Sequence, residues 1–520
     1  MKKRIKRIIG WGLFSLAAMI GSGILLADHL MPPATGAPAY ALPVVPGQTV
    51  LDRELEPVLA RHPGKTGAIL VPGGLDAFAS RALSARQAGR SLDLQYYIWQ
   101  DDLTGHLLMY EAWMAAERGV RVRMLLDDIN TSGKDASLLA LDSHPNIEIR
   151  VYNPFRNREG VARLLEMVQR LFSINYRMHN KAWIADGRVA VVGGRNVGTE
   201  YFDAHDQTNF RDLDVVLFGP EVESASRIFD EFWNSDAVVP IAQLNRKSRR
   251  EIHAVLAQIK EEARSPDARR FLDKVDMSPS VRAYFAQELT PYWSDRLRVL
   301  SDPPLKWKAE ASLDGLAADL MATLGRTQEK ALLISPYFVP GADGVARLRT
   351  LVQERGAYVG IITNSLAAND VLAVHGGYAN YRRELLQAGV HLHEMRPQAT
   401  RGDSSLFGSS GASLHTKAFV VDDRWGFVGS FNLDPRSINL NTEMGVLFDD
   451  IHLGAALREE YLRLAGPSKS YWVYLDANGR LRWLDRAGKA PAVLDTEPES
   501  TLWQRIQARV VGWLPVESQL

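Results

Sequence analysis

The feature that most constrains this chain is that it repeats itself. The eighteen residues HNKAWIADGRVAVVGGRN, from His179 to Asn196, return 236 positions later as HTKAFVVDDRWGFVGSFN, from His415 to Asn432, with no gap. Eight of the eighteen positions are identical, where ordinary composition predicts about one by chance. The likeness extends upstream. An apolar run, Leu92–Trp99, leads to a helical stretch ending Glu117-Arg118-Gly119 and then to a second apolar run, Val120–Leu126. In the other half, Ala331–Val339 leads to Glu354-Arg355-Gly356 and then to Tyr358–Ile362. Short apolar runs separated by helical spacing predict strand–helix–strand units with buried sheets. The expected fold is therefore α/β: two tandem domains, each a sheet flanked by helices, in a pseudo-twofold arrangement.

The expected organisation follows. Residues 47–235 form the first domain and 310–466 the second, with a helical, charged connector over 236–309. Arg246, Lys247, Arg249 and Arg250 of the connector read as a solvated helix face. After 466, Tyr471–Leu475, Asn478-Gly479 and Leu481–Leu484 signal a hairpin, which with a helix makes an appendage over 467–520. The N-terminus, 1–46, opens with Lys2, Lys3, Arg4, Lys6 and Arg7, followed by the uncharged apolar run from Ile8 to Ala27 and a Pro/Ala-rich tether. A run of about 20 apolar residues is long enough to span a bilayer. The reading is a single anchor with its basic end in the cytoplasm, a cleaved signal being the rival. The catalytic domains then face the periplasm of a bacterial cell.

Strand geometry puts residues i and i+2 on one face, so His179 with Lys181, and His415 with Lys417, each present an imidazole beside an ammonium. Asp186 and Asp422 complete the repeated motif and read as turn and supporting residues. Asn196 and Asn432 follow the return strand, with Gly194 and Ser430 at matching places just before. A lysine on the same face disfavours a divalent metal, and no other ligand stands at the required spacing. An anion fits: lysines and amides can donate to phosphate oxygens. One neutral histidine can then attack phosphorus and a second, protonated, can donate to the leaving oxygen. Each imidazole needs a carboxylate to orient it. Asp214 and Glu443, which follow His179 and His415 respectively, are the candidates. No metal or cofactor is expected.

These motifs resemble the phospholipase D superfamily, whose signature is His-x-Lys-x4-Asp with a following Gly-Gly/Ser-x-Asn segment. Leu94–Trp99, Arg118–Asp128, Arg177–Lys181, Gly193–Phe202, Ser335–Pro340 and Ser430–Ser437 resemble cardiolipin synthases of the bacterial C type. The resemblance implies a two-step phosphatidyl transfer through a phosphohistidine. It implies His179 as nucleophile, His415 as general acid, phosphate held by Lys181, Lys417, Asn196 and Asn432, and imidazoles oriented by Asp214 and Glu443. Many cardiolipin synthases carry two N-terminal spans; this chain shows one.

The absence of cysteine excludes disulfides, thiol catalysis and thiolate-bound metal. Equal totals of 61 basic and 61 acidic residues argue against a nucleic-acid partner, since phosphate-backbone binders usually carry a basic excess. The expected partners are a membrane and phospholipids: phosphatidylglycerol, with phosphatidylethanolamine as a second candidate. A hydrolase releasing phosphatidic acid is the alternative, a nuclease a weaker one, and a non-catalytic lipid binder is disfavoured by two intact motifs. His106, His205, His391 and His393 read as surface or core-edge groups, and His375 as a candidate for the acceptor pocket. The apolar stripes at 161–172 and at Trp503, Ile506, Val510 and Trp513 read as faces packed on protein.

Overall fold

The computed structural model describes residues 36–512, apart from 132–133, 156–165, 167–174, 206–207, 246, 248, 287, 309–314, 398–403, 406–407 and 410–413. The apolar run at 8–27, the stripe at 161–172 (save Glu166) and Trp513 therefore lie outside the described residues. In chain order the first half comprises α1 (Val50–Ala60), β1 (Thr66–Val71), α2 (Gly74–Gln87), β2 (Ser91–Tyr96), α3 (Leu103–Glu117), β3 (Arg121–Asp127), α4 (Asp135–Asp142), β4 (Ile147–Tyr152), β5 (Ala182–Ala185), β6 (Val189–Gly193), β7 (Asp214–Phe218), α5 (Pro220–Trp233) and β8 (Val238–Pro240). Helices α6 (Ile241–Leu244), α7 (Arg249–Glu262), α8 (Pro266–Asp276) and α9 (Pro279–Phe285) follow, then β9 (Tyr292–Ser294) and β10 (Leu297–Ser301).

The second half comprises α10 (Leu316–Leu324), β11 (Lys330–Ile334), α11 (Gly341–Gln353), β12 (Tyr358–Asn364), α12 (Leu372–Gln387), β13 (His391–Met395), the short ribbon β14 (Ser404–Ser405) and β15 (Gly408–Ser409), β16 (Lys417–Val421), β17 (Trp425–Gly429), α13 (Pro435–Asn439), β18 (Met444–Asp449) and α14 (Ile451–Ala465). It closes with β19 (Ser470–Leu475), β20 (Leu481–Asp485), β21 (Ala492–Leu494) and α15 (Leu502–Gly512).

The duplication is visible in the strand order. The nine-stranded sheet runs β8-β4-β3-β2-β5-β6-β7-β1-β9, and the ten-stranded sheet runs β10-β18-β17-β16-β11-β12-β13-β19-β20-β21. Read from β4 to β7 and from β13 to β18, the two share one topology. Parallel pairs (β2 with β3 and β3 with β4; β11 with β12 and β12 with β13) adjoin antiparallel ones. The helices before the second parallel strand end where the sequence places glycine. Gly119 and Gly356 have φ of 91° and 71°, a left-handed conformation that glycine adopts without a Cβ clash.

The edges differ between halves. Val238–Pro240 and Tyr292–Ser294, in the stretch read as connector, are strands of the first sheet, and Leu297–Ser301 is a strand of the second. Only Asp295 and Arg296 separate β9 from β10, so the chain steps there from one sheet to the other. The hairpin read from Asn478-Gly479 exists, and it extends the second sheet beyond β13.

One apolar cluster joins the halves. It takes Val215, Leu217, Phe229 and Trp233 from the first and Val299, Val446, Phe448 and Leu457 from the second. Polar ties reinforce it: the Val299 amide donates to Glu221 of α5 at 2.7 Å, and the Tyr152 hydroxyl to the Pro304 carbonyl at 2.6 Å.

Candidate active site

Both motif histidines stand just before a strand whose hairpin turns at the motif aspartate. In the first half, Ala185-Asp186-Gly187-Arg188 closes with the Arg188 amide donating to the Ala185 carbonyl at 2.9 Å. Asp186 and Gly187 have φ of 55° and 66°. Asp422 and Asp423 repeat this turn with φ of 50° and 53°. Two successive positive φ values mark the turn that suits strand twist, and Asp tolerates them.

The carboxylates do the same work in both halves. Asp186 accepts from the amides of Gly89, Arg90 and Ser91 at 2.7–2.9 Å, and Asp422 from those of Gln328, Glu329 and Lys330 at 2.8–3.0 Å. Each aspartate thus locks the entry of β2 or β11. Five residues along an extended strand, from Lys181 to Asp186, put it roughly 17 Å from the lysine. These contacts, all with backbone amides, are those of turn and supporting residues.

The opposite ends of β5 and β16 converge. Met178 bridges Thr442, and Leu414 bridges Arg211. The His179 amide donates to the Thr442 carbonyl at 2.9 Å and the His415 amide to the Arg211 carbonyl at 2.7 Å. Each histidine is therefore held by backbone of the other half, in matching geometry. Both are buried, at 6% and 7% exposure.

The carboxylates cross over too. His179 Nδ1 bonds Glu443 Oε2 at 2.8 Å, and His415 Nδ1 bonds Asp212 Oδ2 at 2.5 Å. A carboxylate acceptor makes Nδ1 the protonated nitrogen and leaves Nε2 with a lone pair. The expectation that Asp214 orients an imidazole is overturned. Asp214 instead forms buried ion pairs with Arg81 at 3.0 Å and Arg195 at 3.1 Å.

Sheet register explains the shift. Gly193 faces Asp214 across β6–β7, and Gly429 faces Gly445 across β17–β18. Gly193 and Gly429 are equivalent in the repeat, so Asp214 corresponds to Gly445, and Asp212 to Glu443. The loop before β7 is longer than that before β18, which hides the match in a count along the chain. Gly194 fits the same picture: a Cβ there would lie 2.5 Å from Asp212 Oδ1. The glycine makes room for the carboxylate, not for a ligand. Its counterpart Ser430 donates its hydroxyl to Glu443, which also accepts from the Ser437 hydroxyl at 2.8 Å.

Each lysine acts on the histidine of the other half, and Asn432 is buried with its backbone amide donating to the Ser437 hydroxyl at 3.2 Å. Lys181 Nζ donates to the His179 carbonyl at 2.6 Å, and Lys417 Nζ to the His415 carbonyl. Asn196 is held by the Tyr201 hydroxyl at 3.0 Å and the Ile98 amide at 3.2 Å. Aromatic rings that the sequence reading missed frame the imidazoles: Tyr97 lies edge-on to His179 at 4.7 Å, and Tyr201 to His415 at 5.2 Å. Tyr337 donates its hydroxyl to Asp370 at 2.7 Å. The adjacent tyrosines of Leu94–Trp99 were a visible signal for Tyr97; Asp370, in the loop before α12, had none.

Burial dominates the electrostatics. It pulls His179 down to about 4 and His415 to about 3, against the opposing pull of Glu443 and Asp212. Both imidazoles are thus neutral at neutral pH. Burial likewise lowers Lys417 to about 8 and Lys181 well below the usual lysine range. Glu443 and Asp212 stay below the ordinary carboxylate range despite burial, because the neighbouring histidines and lysines oppose it. A phosphate anion entering here favours the charged form of every one of these cations.

The other histidines lie elsewhere. His106 sits between Asp101 at 2.7 Å and Glu262 at 2.5 Å. His391 stacks on Tyr358 and His393 lies edge-on to Tyr461. His375 is buried beside Arg382, 3.4 Å from Glu497 of the C-terminal segment.

Comparison with known proteins follows the same lines. A family model described as "Cardiolipin synthase, PLD-like domain" matches residues 84–233 and 320–465. Cardiolipin synthase C of Escherichia coli (strain K12) is 41% identical over 466 residues, covering 89% of this chain and 98% of the relative. An uncharacterised protein of Helicobacter pylori is 31% identical, covering 82% and 84%. Among solved structures, phosphatidylserine synthase of Haemophilus influenzae superposes with a TM-score of 0.56 at 15% identity, covering 90% of this chain and 99% of that one, which is a likeness of fold.

Proposed function

The chain belongs to the cardiolipin synthase, PLD-like domain family and is a phosphatidyl-transferring enzyme of the phospholipase D superfamily; we propose that it makes cardiolipin at one site assembled from both halves. The observation that carries the site assignment is the crossed pairing of His179 with Glu443 and His415 with Asp212. Neither half alone holds a histidine with its carboxylate.

In the first step His179 Nε2 attacks phosphorus of the donor phospholipid. The bond to the headgroup oxygen breaks, and His415 Nε2–H protonates that oxygen. Burial keeps His415 neutral before substrate binds, so its proton is taken up as the anionic phosphodiester settles among Lys181, Lys417, Asn196 and Asn432. The phosphatidyl group is left on His179. In the second step neutral His415 removes the proton from a hydroxyl of phosphatidylglycerol, whose oxygen attacks phosphorus and displaces His179. Water in place of that alcohol gives phosphatidic acid. Preorganised cations and amides carry the charge on the phosphoryl oxygens throughout.

The membrane reading rests on the apolar run at 8–27 with its basic flank; among the described residues no helix is long and apolar enough to cross a membrane. We read 8–27 as an anchor with the catalytic halves on the periplasmic side. Protease accessibility in spheroplasts checks this: digestion only after lysis would place the catalytic halves in the cytoplasm instead.

The function is tested by lipid analysis. Purified full chain given phosphatidylglycerol, with or without phosphatidylethanolamine, yields cardiolipin. Release of phosphatidic acid alone would leave only the hydrolase.

A further inference from the structure

The C-terminal helix α15 turns its apolar side the wrong way for a packed helix. Leu502, Trp503, Ile506 and Val510 are exposed, at 66%, 65%, 43% and 50%. At 100° per residue they fall within one arc of about 100°. Ala508, the buried residue of α15, lies on the opposite side. The expectation that this stripe packs on protein is therefore overturned.

The placement of the helix is well fixed. A Cβ on Gly376 of α12 would come within 2.7 Å of the Ala508 carbonyl oxygen and 3.0 Å of the Gly512 amide nitrogen, so glycine permits the close crossing. Asn380 Nδ2 donates to the Gly512 carbonyl at 3.0 Å. Just upstream, Glu497 accepts from Arg382 at 2.8 Å, and Tyr471 bonds Glu499. These contacts tie the helix to the second half.

It is also beside the active site. Ala508 clusters with Leu366 and Leu372, which bracket the loop carrying Asp370. Asp370 accepts from Tyr337 and lies in the electrostatic field of Lys417. The exposed arc thus lies on the side of α15 turned away from the loop that carries Asp370.

Charge selects the occupant. The helix sequence LWQRIQARVVG contains Arg505 and Arg509 and no acidic residue. An apolar arc flanked by arginines fits the headgroup–acyl boundary of an anionic bilayer, with tryptophan suited to that depth. We propose that the outward face of α15 is a peripheral membrane contact that holds the second half of the enzyme against an anionic phospholipid surface. This inference rests on the phospholipid-substrate reading above.

The chain has no cysteine, so a single introduced thiol can be labelled uniquely. Val510→Cys carrying an environment-sensitive fluorophore is placed in the full chain, with Glu261→Cys on α7 as control. In proteoliposomes of phosphatidylglycerol and phosphatidylethanolamine, the label at 510 shifts to the blue and is quenched by lipid-borne nitroxides, and the label at 261 does neither. The variant Trp503→Glu/Ile506→Glu loses about tenfold of its turnover on bilayer lipid, as expected when buried apolar side chains become charged. It keeps wild-type turnover on monomeric dihexanoyl phosphatidylglycerol.

An active enzyme whose label at 510 stays aqueous would overturn the contact. A blue shift that grows with protein concentration in the absence of vesicles would assign the face to a second copy and overturn it equally. A wild type inactive on both lipids, with the label at 510 quenched by lipid, would instead overturn the transferase reading and leave the contact standing.

Discussion

Glu443 of the second half holds His179 of the first, Oε2 to Nδ1 at 2.8 Å, and Asp212 returns the relation by holding His415. The pseudo-twofold therefore exchanges carboxylates and not only faces. Duplication without contact between the halves would yield two histidines and no oriented one.

The crossing separates Asp212 from Asp214. Asp212→Asn and Glu443→Gln should lower kcat by about 100-fold or more, because the imidazole loses the partner that sets its tautomer, while thermal melting should move less than for Asp214→Asn. Asp214→Asn should do the reverse. It weakens the acceptor of two fully buried arginines and should cost about 3 kcal/mol or more. A Tm drop for Asp214→Asn larger than for Asp212→Asn, with kcat per folded molecule kept, is the expected pattern.

The motif aspartates should also act on stability. Asp186→Ala strands three amide donors, those of Arg90 and Ser91 being in buried surroundings, and should cost about 2–4 kcal/mol. Asp422→Ala should cost less, since its bonds to Gln328 and Glu329 are exposed to water. Urea denaturation of the two variants gives the order. Loss of kcat in folded Asp186→Ala would put this carboxylate in the chemistry after all.

The pH–rate profile should bend near 8. Lys417 is lowered from the ordinary lysine range to about 8 by burial, so the free enzyme loses this ammonium as pH rises through that value. The profile of kcat/KM, which reports free-enzyme groups, should fall on the alkaline side from about pH 8, and Lys417→Arg should remove that limb.

Acid should destabilise the fold in a definite window. The folded-state values of His179 and His415, about 4 and 3, lie below the ordinary 6.5. The unfolded chain therefore binds protons that the folded chain refuses, and stability falls as pH drops below 6.5 until the folded values are passed. The depressed carboxylates Glu443 and Asp212 act in the same direction at lower pH. Melting curves of wild type and His179→Asn/His415→Asn between pH 7 and 4 should show the steeper slope in wild type.

The phosphohistidine should be trappable and should need no metal. Quenching with labelled phosphatidylglycerol should leave acid-labile, base-stable label on His179, and His179→Ala should carry none. Label found on His415 would exchange the two roles. EDTA should leave turnover unchanged, since ammonium and amide groups supply the stabilising charge; strong inhibition would refute that.

Much of the site was legible in the chain because it is local. His179 and Lys181, or His415 and Lys417, share a strand face at fixed spacing, and the type of turn at Asp186 and Asp422 follows from residue chemistry. Asp212 was not legible. Its equivalence with Glu443 is set by β6–β7 and β17–β18 register, and a longer loop before β7 displaces it from the count along the sequence. Asp214 is engaged instead by Arg81 and Arg195, which become its neighbours only in the folded sheet.

The duplication, the α/β class, and the histidines, lysines and asparagines that repeat are all readable from the chain, since each is a property of neighbours along it. Which carboxylate serves which histidine is set only when the sheets fold, because that pairing joins residues more than 200 positions apart. Tertiary structure also decided that the stripe on α15 faces outward. Helical periodicity creates an apolar arc, but only the docking of Ala508 against Leu366 and Leu372 tells which side of the helix the protein covers and which it leaves for another surface.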